Sequence, residues 1–318
     1  MTILYGIQLN GNGHLTRSIE VIESLKERGH KVDIITSGNN SNLKPKLKHT
    51  HFKGLDLFLS ELGSVLWFKT LKNANIWRLF KDTKIDVSKY DLIISDFEPI
   101  TAWAAKRSSK KSIGISNQSF SLYNDTNGTK DFIYKEFVKR FAPCSEYLSI
   151  NFKKNEEDLI HPIISKKLIN QKVSDKDFIL VYLSNYNLEY LISVFSKSEQ
   201  NFVIYTSEVL ECPKNIKLKK HNRDKFIDDL LNCSSVITAG GFSTTSECLV
   251  LGKKLWSIPF SDHYEQKSNE IQLLELGVFT DELNNQNLEK WLVEYTNIQY
   301  NWEDPIQRII KKIESYAN

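Results

Sequence analysis

Two glycines and a histidine stand together in the segment Gly11-Asn12-Gly13-His14. A glycine-rich turn before a helix lets backbone N–H groups and the positive end of the helix dipole face a ligand. An imidazole at such a position can serve as a general base. The pattern is no dinucleotide fingerprint, because Thr16 stands where the third glycine would be, and no Gly-Lys-Ser/Thr follows to make a P-loop. The alternative is a histidine that caps or packs against the helix.

A carboxylate, Asp96, ends the apolar run 91–96 (DLIISD). Beside an imidazole, a carboxylate orients the ring and raises its basicity. Because open α/β sheets bind ligands at the carboxyl ends of their strands, His14 and Asp96 are candidates for one site. Asp96 could equally N-cap a helix that begins near Pro99, and both interpretations can hold together.

The segment 238–247 (TAGGFSTTSE) places a double glycine and a run of hydroxyls between a predicted strand and a predicted helix. Backbone amides and hydroxyls at a helix N-terminus suit a diphosphate. Glu247, one turn further on, could accept hydrogen bonds from a ribose diol. The alternative is a capping box formed by Thr244 and Glu247.

A fourth polar segment, 259–269 (PFSDHYEQKSN), also lies between a predicted strand and a predicted helix. Glu265 and Gln266 would emerge at that helix start, where they could bind hydroxyl groups. The alternative is a polar loop in which Glu265 favours the beginning of a helix.

The elements that must position these residues alternate between strand and helix. Residues 2–7 favour a strand, 15–28 an amphipathic helix and 31–36 a strand. This βαβ unit implies a parallel sheet with a right-handed crossover. The other predicted elements of the first half are strands over 91–96, 111–116 and 146–151, and helices over 64–84 and 99–107.

The polar stretch 152–176 predicts a junction, after which a second alternating series begins. Its predicted strands cover 178–183, 201–206, 216–218, 235–238 and 254–258, and its helices cover 188–196, 224–231, 244–251 and 266–276. An amphipathic helix is predicted over 305–316. The sequence therefore predicts two α/β domains in tandem.

Composition supports an ordinary globular protein. The 318 residues are 41% hydrophobic and 25% charged, and 42 basic against 39 acidic residues give a net charge of +3. These values exclude a disordered chain and argue against a protein that coats nucleic acid. No apolar run reaches the ~18 residues of a membrane span, and the start lacks a signal peptide's basic n-region. We therefore expect a cytoplasmic protein. Its four cysteines contain no CxxC pair and predict neither a zinc site nor disulfides.

Two stretches, 66–81 and 132–141 (FIYKEFVKRF), interleave aromatic residues with lysines. Such segments could lie on an anionic membrane surface and reach a lipid-linked acceptor. They could instead contact a polyanion, including DNA. The plainer interpretation is two amphipathic helices with aromatic core faces. Of the functional interpretations we favour the membrane.

Together these segments resemble the GT-B glycosyltransferases, the nucleotide-sugar transferases of the lipid II-forming and UDP-glycosyltransferase type. Residues 6–38 are similar to the opening of a bacterial and archaeal branch, and residues 236–277 to the donor signature. The resemblance implies two Rossmann-like, doubly wound parallel-sheet domains facing a cleft. The implied organisation is an acceptor-binding domain over 1–155, a linker over 156–176, a donor-binding domain over 177–300, and a helix over 301–318 that packs back on the first domain.

The resemblance also implies roles for individual residues. His14 would be the base that activates the acceptor, and Asp96 its carboxylate partner. For the donor diphosphate the implied contacts are Gly240, Gly241, Phe242, Ser243 and Thr244. Glu247 would bind the ribose, Glu265 and Gln266 would bind the sugar, and Asn269 would brace the loop. The implied residues near a phosphate or the base are Ser184 and Asn185, and those near the base are His221 and Asn222. Asn12, Gly13 and Arg17 would line the loop near the acceptor or phosphate.

The implied reaction is the transfer of a sugar from a nucleotide-sugar, with UDP-sugar favoured, to an acceptor hydroxyl with inversion. No metal or cofactor is expected, because no acidic metal clamp is evident and Asp228-Asp229 falls inside a predicted helix. The acceptor stays open among a lipid-linked glycan, a small molecule and DNA. Two alternatives remain: a nucleotide-sugar hydrolase of the same fold, with a similar Gly-x-Gly-His-x-x-Arg start, and a non-catalytic sugar-nucleotide-binding subunit.

Overall fold

The computed structural model describes residues 1–9, 12–38, 47–54, 76–123, 129–153, 156–183, 186–258 and 264–316. The strands are β1 (Thr2–Gln8), β2 (Lys31–Ser37), β3 (Thr50–Phe52), β4 (Leu92–Asp96), β5 (Ser112–Ser116), β6 (Glu146–Ile150), β7 (Leu159–Ile160), β8 (Lys176–Tyr182), β9 (Phe202–Tyr205), β10 (Ile216–Lys219), β11 (Cys233–Thr238) and β12 (Lys254–Ser257). The helices are α1 (Asn12–Glu27), α2 (Ile76–Asp82), α3 (Pro99–Arg107), α4 (Thr129–Phe141), α5 (Lys166–Ile169), α6 (Leu188–Phe195), α7 (Arg223–Asn232), α8 (Phe242–Val250), α9 (Tyr264–Glu275), α10 (Asn285–Glu294) and α11 (Ile306–Glu314), with a 3₁₀ turn at Gln118–Leu122.

Two compact units, each with its own parallel sheet, make up the chain. The first sheet has the order β3-β2-β1-β4-β5-β6-β7. Its central strands are continuous apolar runs, and every residue of β4 is buried. Such runs are typical of parallel strands, which helices cover on both faces. The predicted doubly wound α/β architecture is confirmed.

The order in which strands are added to the first sheet changes direction between β1 and β4. From β1 it proceeds to β2 and β3, and from β4 it proceeds to β5 and β6 on the other side. Ile7 of β1 is in register with Asp96 of β4. The loop after β1 and the last residue of β4 therefore meet at one edge of the sheet, at the kind of switch point where α/β proteins bind ligands.

The first unit differs from the sequence prediction at two short strands. β3 and β7 were not predicted, because three and two residues are too short to show a periodic pattern. β7 pairs with β6 inside the stretch 156–176 that the sequence indicates as a junction. The first unit accordingly extends to Ser165.

The helix α11 also belongs to the first unit, where it packs against α1. Arg28, just after α1, donates to Gln307 at 2.7 Å and pairs with Glu314 at 3.3 Å. The apolar stripe of α11 is buried and consists of Ile306, Ile309, Ile310 and Ile313. Because these residues recur at helical spacing, the predicted amphipathic character of the helix is confirmed.

The second unit carries a five-stranded parallel sheet with the order β10-β9-β8-β11-β12. Its core contains the stacked pair Phe195 and Phe202 and the indoles of Trp256 and Trp291, whose ring centroids lie 5.7 Å apart. Trp291 comes from α10, which the sequence pattern did not predict. The strand order places the end of β11 beside the end of β8 in the middle of this sheet.

Candidate functional site

The imidazole of His14 forms a hydrogen bond with the carboxylate of Asp96. His14 lies in the first turn of α1, directly after β1, and Asp96 is the last residue of β4. His14 Nδ1 is 2.7 Å from Asp96 Oδ1, and both side chains are buried. Because an ionised carboxylate can only accept, Nδ1 carries the proton of this bond. In the neutral form of such a ring, Nε2 has the lone pair that can accept a proton from another molecule.

Two further side chains, Arg17 and Ser18, donate hydrogen bonds to the same carboxylate. Arg17 Nε donates to Asp96 Oδ2 at 2.7 Å, and Arg17 Nη2 donates to Asp96 Oδ1 at 2.5 Å. Ser18 Oγ donates to Oδ2 at 2.9 Å. On its other side Arg17 Nη1 donates to Asn117 Oδ1 at 2.9 Å. The guanidinium thus ties the start of α1 to the ends of β4 and β5.

Ser18 and Asn117 escaped the sequence analysis. A signal for Ser18 exists, because His14, Arg17 and Ser18 are three and four residues apart and share one helix face. No pattern pointed to Asn117, which follows β5 and meets Arg17 only through the packing of the sheet. Arg17, which the resemblance places near the loop, directs its guanidinium at Asp96 and is 6% exposed.

The electrostatics of this cluster keep Asp96 ionised. Burial opposes ionisation, but the charge of Arg17 and the contact with His14 outweigh it and lower the pKa of Asp96 to about 2. Tyr5, on the neighbouring strand, has a raised pKa because it is buried and faces the Asp96 charge. At neutral pH the cluster therefore contains a carboxylate, a guanidinium and a neutral phenol.

The turn after Asp96 is held by a second carboxylate. Phe97 has a positive φ of 52°, which is uncommon for a residue with a side chain. Glu98 then N-caps α3, accepting from the backbone N–H groups of Ile100 and Thr101. The interpretation of Asp96 as the N-cap is therefore wrong, and Asp96 is left available to His14. Burial raises the pKa of Glu98 despite these hydrogen bonds.

In the second unit, the glycine loop lies between β11 and α8. Gly240 has φ of +70°, and Gly241 is the N-cap of α8. The helix begins at Phe242, two residues earlier than predicted, so Ser243 and Thr244 lie in its first turn. The capping-box interpretation of Thr244 and Glu247 is therefore wrong. Because glycine has no side chain to cap the helix, the first amides of α8 remain suited to an anionic ligand.

Two contacts hold the surroundings of this loop. Asn269 Nδ2 donates to the carbonyl oxygen of Gly240 at 3.4 Å, which joins α9 to the loop. Glu247 is buried and accepts a forked pair of bonds from both Nη atoms of Arg223. Arg223 was not identified from the sequence. The fork orients the carboxylate and leaves its remaining lone pairs for other donors.

The other residues predicted to line the site lie on several different elements. His221 packs edge-on against Tyr182, with ring centroids 5.8 Å apart. The side chain of Asn222 N-caps α7 by accepting from Lys225 N. Gly13 lies in the first turn of α1. Ser184 and Asn185 fall outside the described residues, as do the side chains of Asn12, Glu265 and Gln266.

The described residues contain neither a metal-binding cluster nor a membrane-spanning helix. No group of three or more His, Cys, Asp and Glu side chains in this part of the chain is arranged to hold a metal ion. None of the helices described has the length and apolar character that a membrane crossing requires.

Comparisons with known proteins agree with this architecture. Among solved structures, the glycotransferase of kitacinnamycin is 15% identical, with a TM-score of 0.63 over 100% of this chain and 96% of that chain. UGT89C1 of Arabidopsis thaliana, solved with UDP, is 15% identical, with a TM-score of 0.60 over 99% and 94% of the two chains. The glycosyltransferase VinC, solved with dTDP, is 12% identical, with a TM-score of 0.57 over 99% and 95%. These likenesses show a shared GT-B fold.

Curated protein sequences give no significant match. A family profile described as Glycosyl transferase family 1, however, matches residues 1–295. This match covers β1 through α10 and includes both the His14–Asp96 pair and the glycine loop. The chain therefore belongs to glycosyl transferase family 1 and is a glycosyltransferase of the GT-B fold.

Proposed function

We propose that this glycosyltransferase moves a sugar from a UDP-sugar to an acceptor hydroxyl, with inversion at the anomeric carbon and with His14 as the base. The observation that carries the proposal is the 2.7 Å bond between His14 Nδ1 and Asp96 Oδ1 at the carboxyl ends of two central strands. That bond holds the ring in the tautomer whose Nε2 is basic.

In the proposed reaction, His14 Nε2 takes the proton of the acceptor hydroxyl. The hydroxyl oxygen forms a bond to the anomeric carbon as the bond from that carbon to the diphosphate oxygen breaks. A single displacement of this kind inverts the configuration. A positioned general base contributes about 10²–10⁴-fold to such a step.

We assign the donor diphosphate to the glycine loop before α8. Backbone amides at this helix start and the hydroxyls of Ser243 and Thr244 can stabilise the charge of the leaving diphosphate without a metal. The resemblance assigns the ribose to Glu247, whose orientation the Arg223 fork fixes. UGT89C1 and VinC, which were solved with UDP and dTDP, support a nucleoside diphosphate as the leaving group.

The test is release of nucleotide from UDP-, GDP- and dTDP-sugars, first without acceptor and then with lipid or cell-extract acceptors. We expect acceptor-dependent release that falls at least about 10²-fold in His14→Ala. The matched control is His51→Gln, which changes an exposed histidine on β3. Rapid release without acceptor, lost in His14→Ala and yielding free sugar, would instead identify a hydrolase. Full activity of His14→Ala would reject the base assignment.

We further propose that the first unit rests on the inner face of an anionic membrane. The helices α2 and α4 carry exposed aromatic and aliphatic side chains, including Trp77 at 86%, Phe132 at 60% and Ile133 at 58% exposure. The segments 76–84, 99–111 and 131–141 contain ten basic and three acidic residues, whereas the whole chain nets only +3. Exposed apolar side chains among clustered basic residues suit an interface with anionic lipid.

Contacts join α3 to both α2 and α4. Arg107 of α3 donates to the carbonyl of Phe80 on α2 and lies 4.1 Å from the centroid of its ring. Trp103 of α3 donates to the carbonyl of Arg140 on α4. Residues 66–75 of the first lysine- and aromatic-rich stretch lie outside the described residues. The plainer interpretation, an amphipathic helix with an aromatic core face, holds for Phe137 and Phe141, which pack against each other in a core cluster, whereas Phe132 is exposed.

Co-sedimentation with vesicles tests this second proposal. We expect binding to phosphatidylcholine vesicles that contain phosphatidylglycerol, weakened by salt and lost in Phe132→Ser/Ile133→Ser. The matched control is Ile271→Ser/Leu274→Ser, which changes equally exposed residues of α9. Equal loss in the control, or no binding at low salt, would reject the membrane. Tight binding to DNA that ignores Phe132 and Ile133 would indicate a polyanion instead.

A further inference from the structure

Arg17 differs from an ordinary surface arginine because all of its described bonds point inward. It shares Asp96 Oδ1 with His14, since Arg17 Nη2 and His14 Nδ1 lie 2.5 Å and 2.7 Å from that oxygen. The two nitrogens are themselves only 2.7 Å apart. Both donate to one oxygen, so a cation stands directly beside the imidazole ring.

This arrangement has two separable effects. The planar fork of Arg17, anchored at Asn117, fixes both oxygens of Asp96 in one orientation. The charge of Arg17 opposes the charge of Asp96 at the ring. A lone carboxylate beside a histidine favours the imidazolium, and an adjacent guanidinium disfavours it.

We propose that Arg17 is a positioning residue for the His14–Asp96 pair, whose fork aims the carboxylate at Nδ1 and whose charge opposes the arrival of a second positive charge on the imidazole. The inference rests on the proposed role of His14 as the base. A base must be unprotonated to act, so a cation beside the ring favours its reactive form.

The groups that face the pair come from three elements. Among the described residues, α1 contributes Arg17 and the hydroxyl of Ser18, and β1 contributes Tyr5. The stretch after β5 contributes the neutral amide of Asn117. Because Tyr5 stays protonated at neutral pH, Arg17 is the cation that balances Asp96 there.

The charge effect is tested by histidine NMR without any substrate. We expect the His14 ring of Arg17→Gln to lose its proton at higher pH than in the wild type, because Asp96 alone then faces it. The acidic limb of the pH–rate profile should move in the same direction. In Arg17→Lys, which keeps the charge, the ring should titrate as in the wild type.

The positioning effect is tested by kcat. A lysine cannot make the two bonds of the fork, so Arg17→Lys should lose about tenfold or more in kcat. Asn117→Ala should lose several-fold in kcat with an unmoved titration. A merely structural arginine would change stability and leave both the titration and the kcat of folded protein alone.

Two outcomes overturn the inference: a ring that titrates at or below the wild-type pH in Arg17→Gln, or wild-type kcat in Arg17→Lys. If Arg17→Gln does not fold, Asp96→Asn and Arg17→Gln/Asp96→Asn replace the comparison, and the ring should titrate lower in the single variant. Full activity of His14→Ala rejects the proposed base, whereas the NMR comparison still reports on Arg17. The two failures are therefore distinguishable.

Discussion

His14 Nδ1 and Asp96 Oδ1 lie 2.7 Å apart although 82 residues separate them in the chain. The contact follows from the sheet, because β1 and β4 are adjacent and Ile7 is in register with Asp96. The first turn of α1 therefore starts beside the end of β4. The positive φ of Phe97 and the N-cap at Glu98 carry the chain away into α3 without using the Asp96 carboxylate.

Acid should destabilise the protein partly through Asp96. Its pKa is lowered to about 2 from an ordinary value of 3.8, so its stabilisation is complete above pH ~4 and is lost as the pH falls toward 2. The expected size of this contribution is roughly 2 kcal/mol. Chemical denaturation at pH 7, 4, 3 and 2.5 measures it, and Asp96→Asn should lack that part of the acid dependence. An unchanged acid dependence in the variant would contradict the assignment.

Gly6 should not tolerate a side chain. A Cβ there would lie 2.1 Å from Thr101 Oγ1 and 2.8 Å from Glu98 Oε2, beside a fully buried carboxylate. Gly6→Ala should lower the free energy of unfolding by about 1–3 kcal/mol. Gly241→Ala is the matched control, because a Cβ there meets nothing within 4 Å and should change stability by less than about 0.5 kcal/mol. Equal destabilisation of both variants would count against this packing argument.

Glu247 should matter most for donors with a complete ribose. If its carboxylate accepts bonds from the diol, Glu247→Gln should raise the KM of a UDP-sugar about tenfold. A dTDP-sugar, which has a 2′-deoxyribose, should be affected less. Arg223→Met should act in the same direction, because it releases the fork that orients Glu247. Steady-state kinetics with both donors decides, and equal effects on the two donors would argue against ribose recognition.

Lys253 should be essential to the second unit's stability. Its ammonium group is buried and donates to the carbonyls of Ser174, Leu231 and Cys233, at 2.8, 3.3 and 2.6 Å. Lys253→Met keeps the stem but removes the bonds to these carbonyls, which should cost about 2–4 kcal/mol. Denaturant titration tests this, with the exposed Lys217→Met as control. Wild-type stability of Lys253→Met would mean that water replaces the ammonium at no cost.

Sequence reasoning predicted the parts of the site that depend on strand ends. His14 and Asp96 each follow an apolar run, and parallel topology brings such ends together. Asn117 was missed because its partner, Arg17, is 100 residues away and no local pattern joins them. Arg223 was missed for the same reason, since its bond to Glu247 depends on how α7 and α8 pack.

Helix starts were harder to predict than helices themselves. The hydroxyl of Thr244 is a good N-cap in isolation, but the chain turns at Gly240 and the helix begins at Phe242. Glu247, the other half of the expected capping box, is held by Arg223 instead. Tertiary contacts therefore override a local preference worth only about 1 kcal/mol. α10 escaped prediction because its sequence is mostly polar, although Leu288 and Trp291 are buried.

The place of α11 in the chain has a consequence for biosynthesis. Its isoleucine stripe completes the hydrophobic core beside α1, yet these residues leave the ribosome only after the whole second unit has been made. Translation adds about 5–20 residues per second. The apolar surface that α11 later covers therefore stays exposed for roughly 7–30 seconds. The nascent first unit thus exposes apolar surface for a prolonged period, during which chaperone binding would protect it from aggregation.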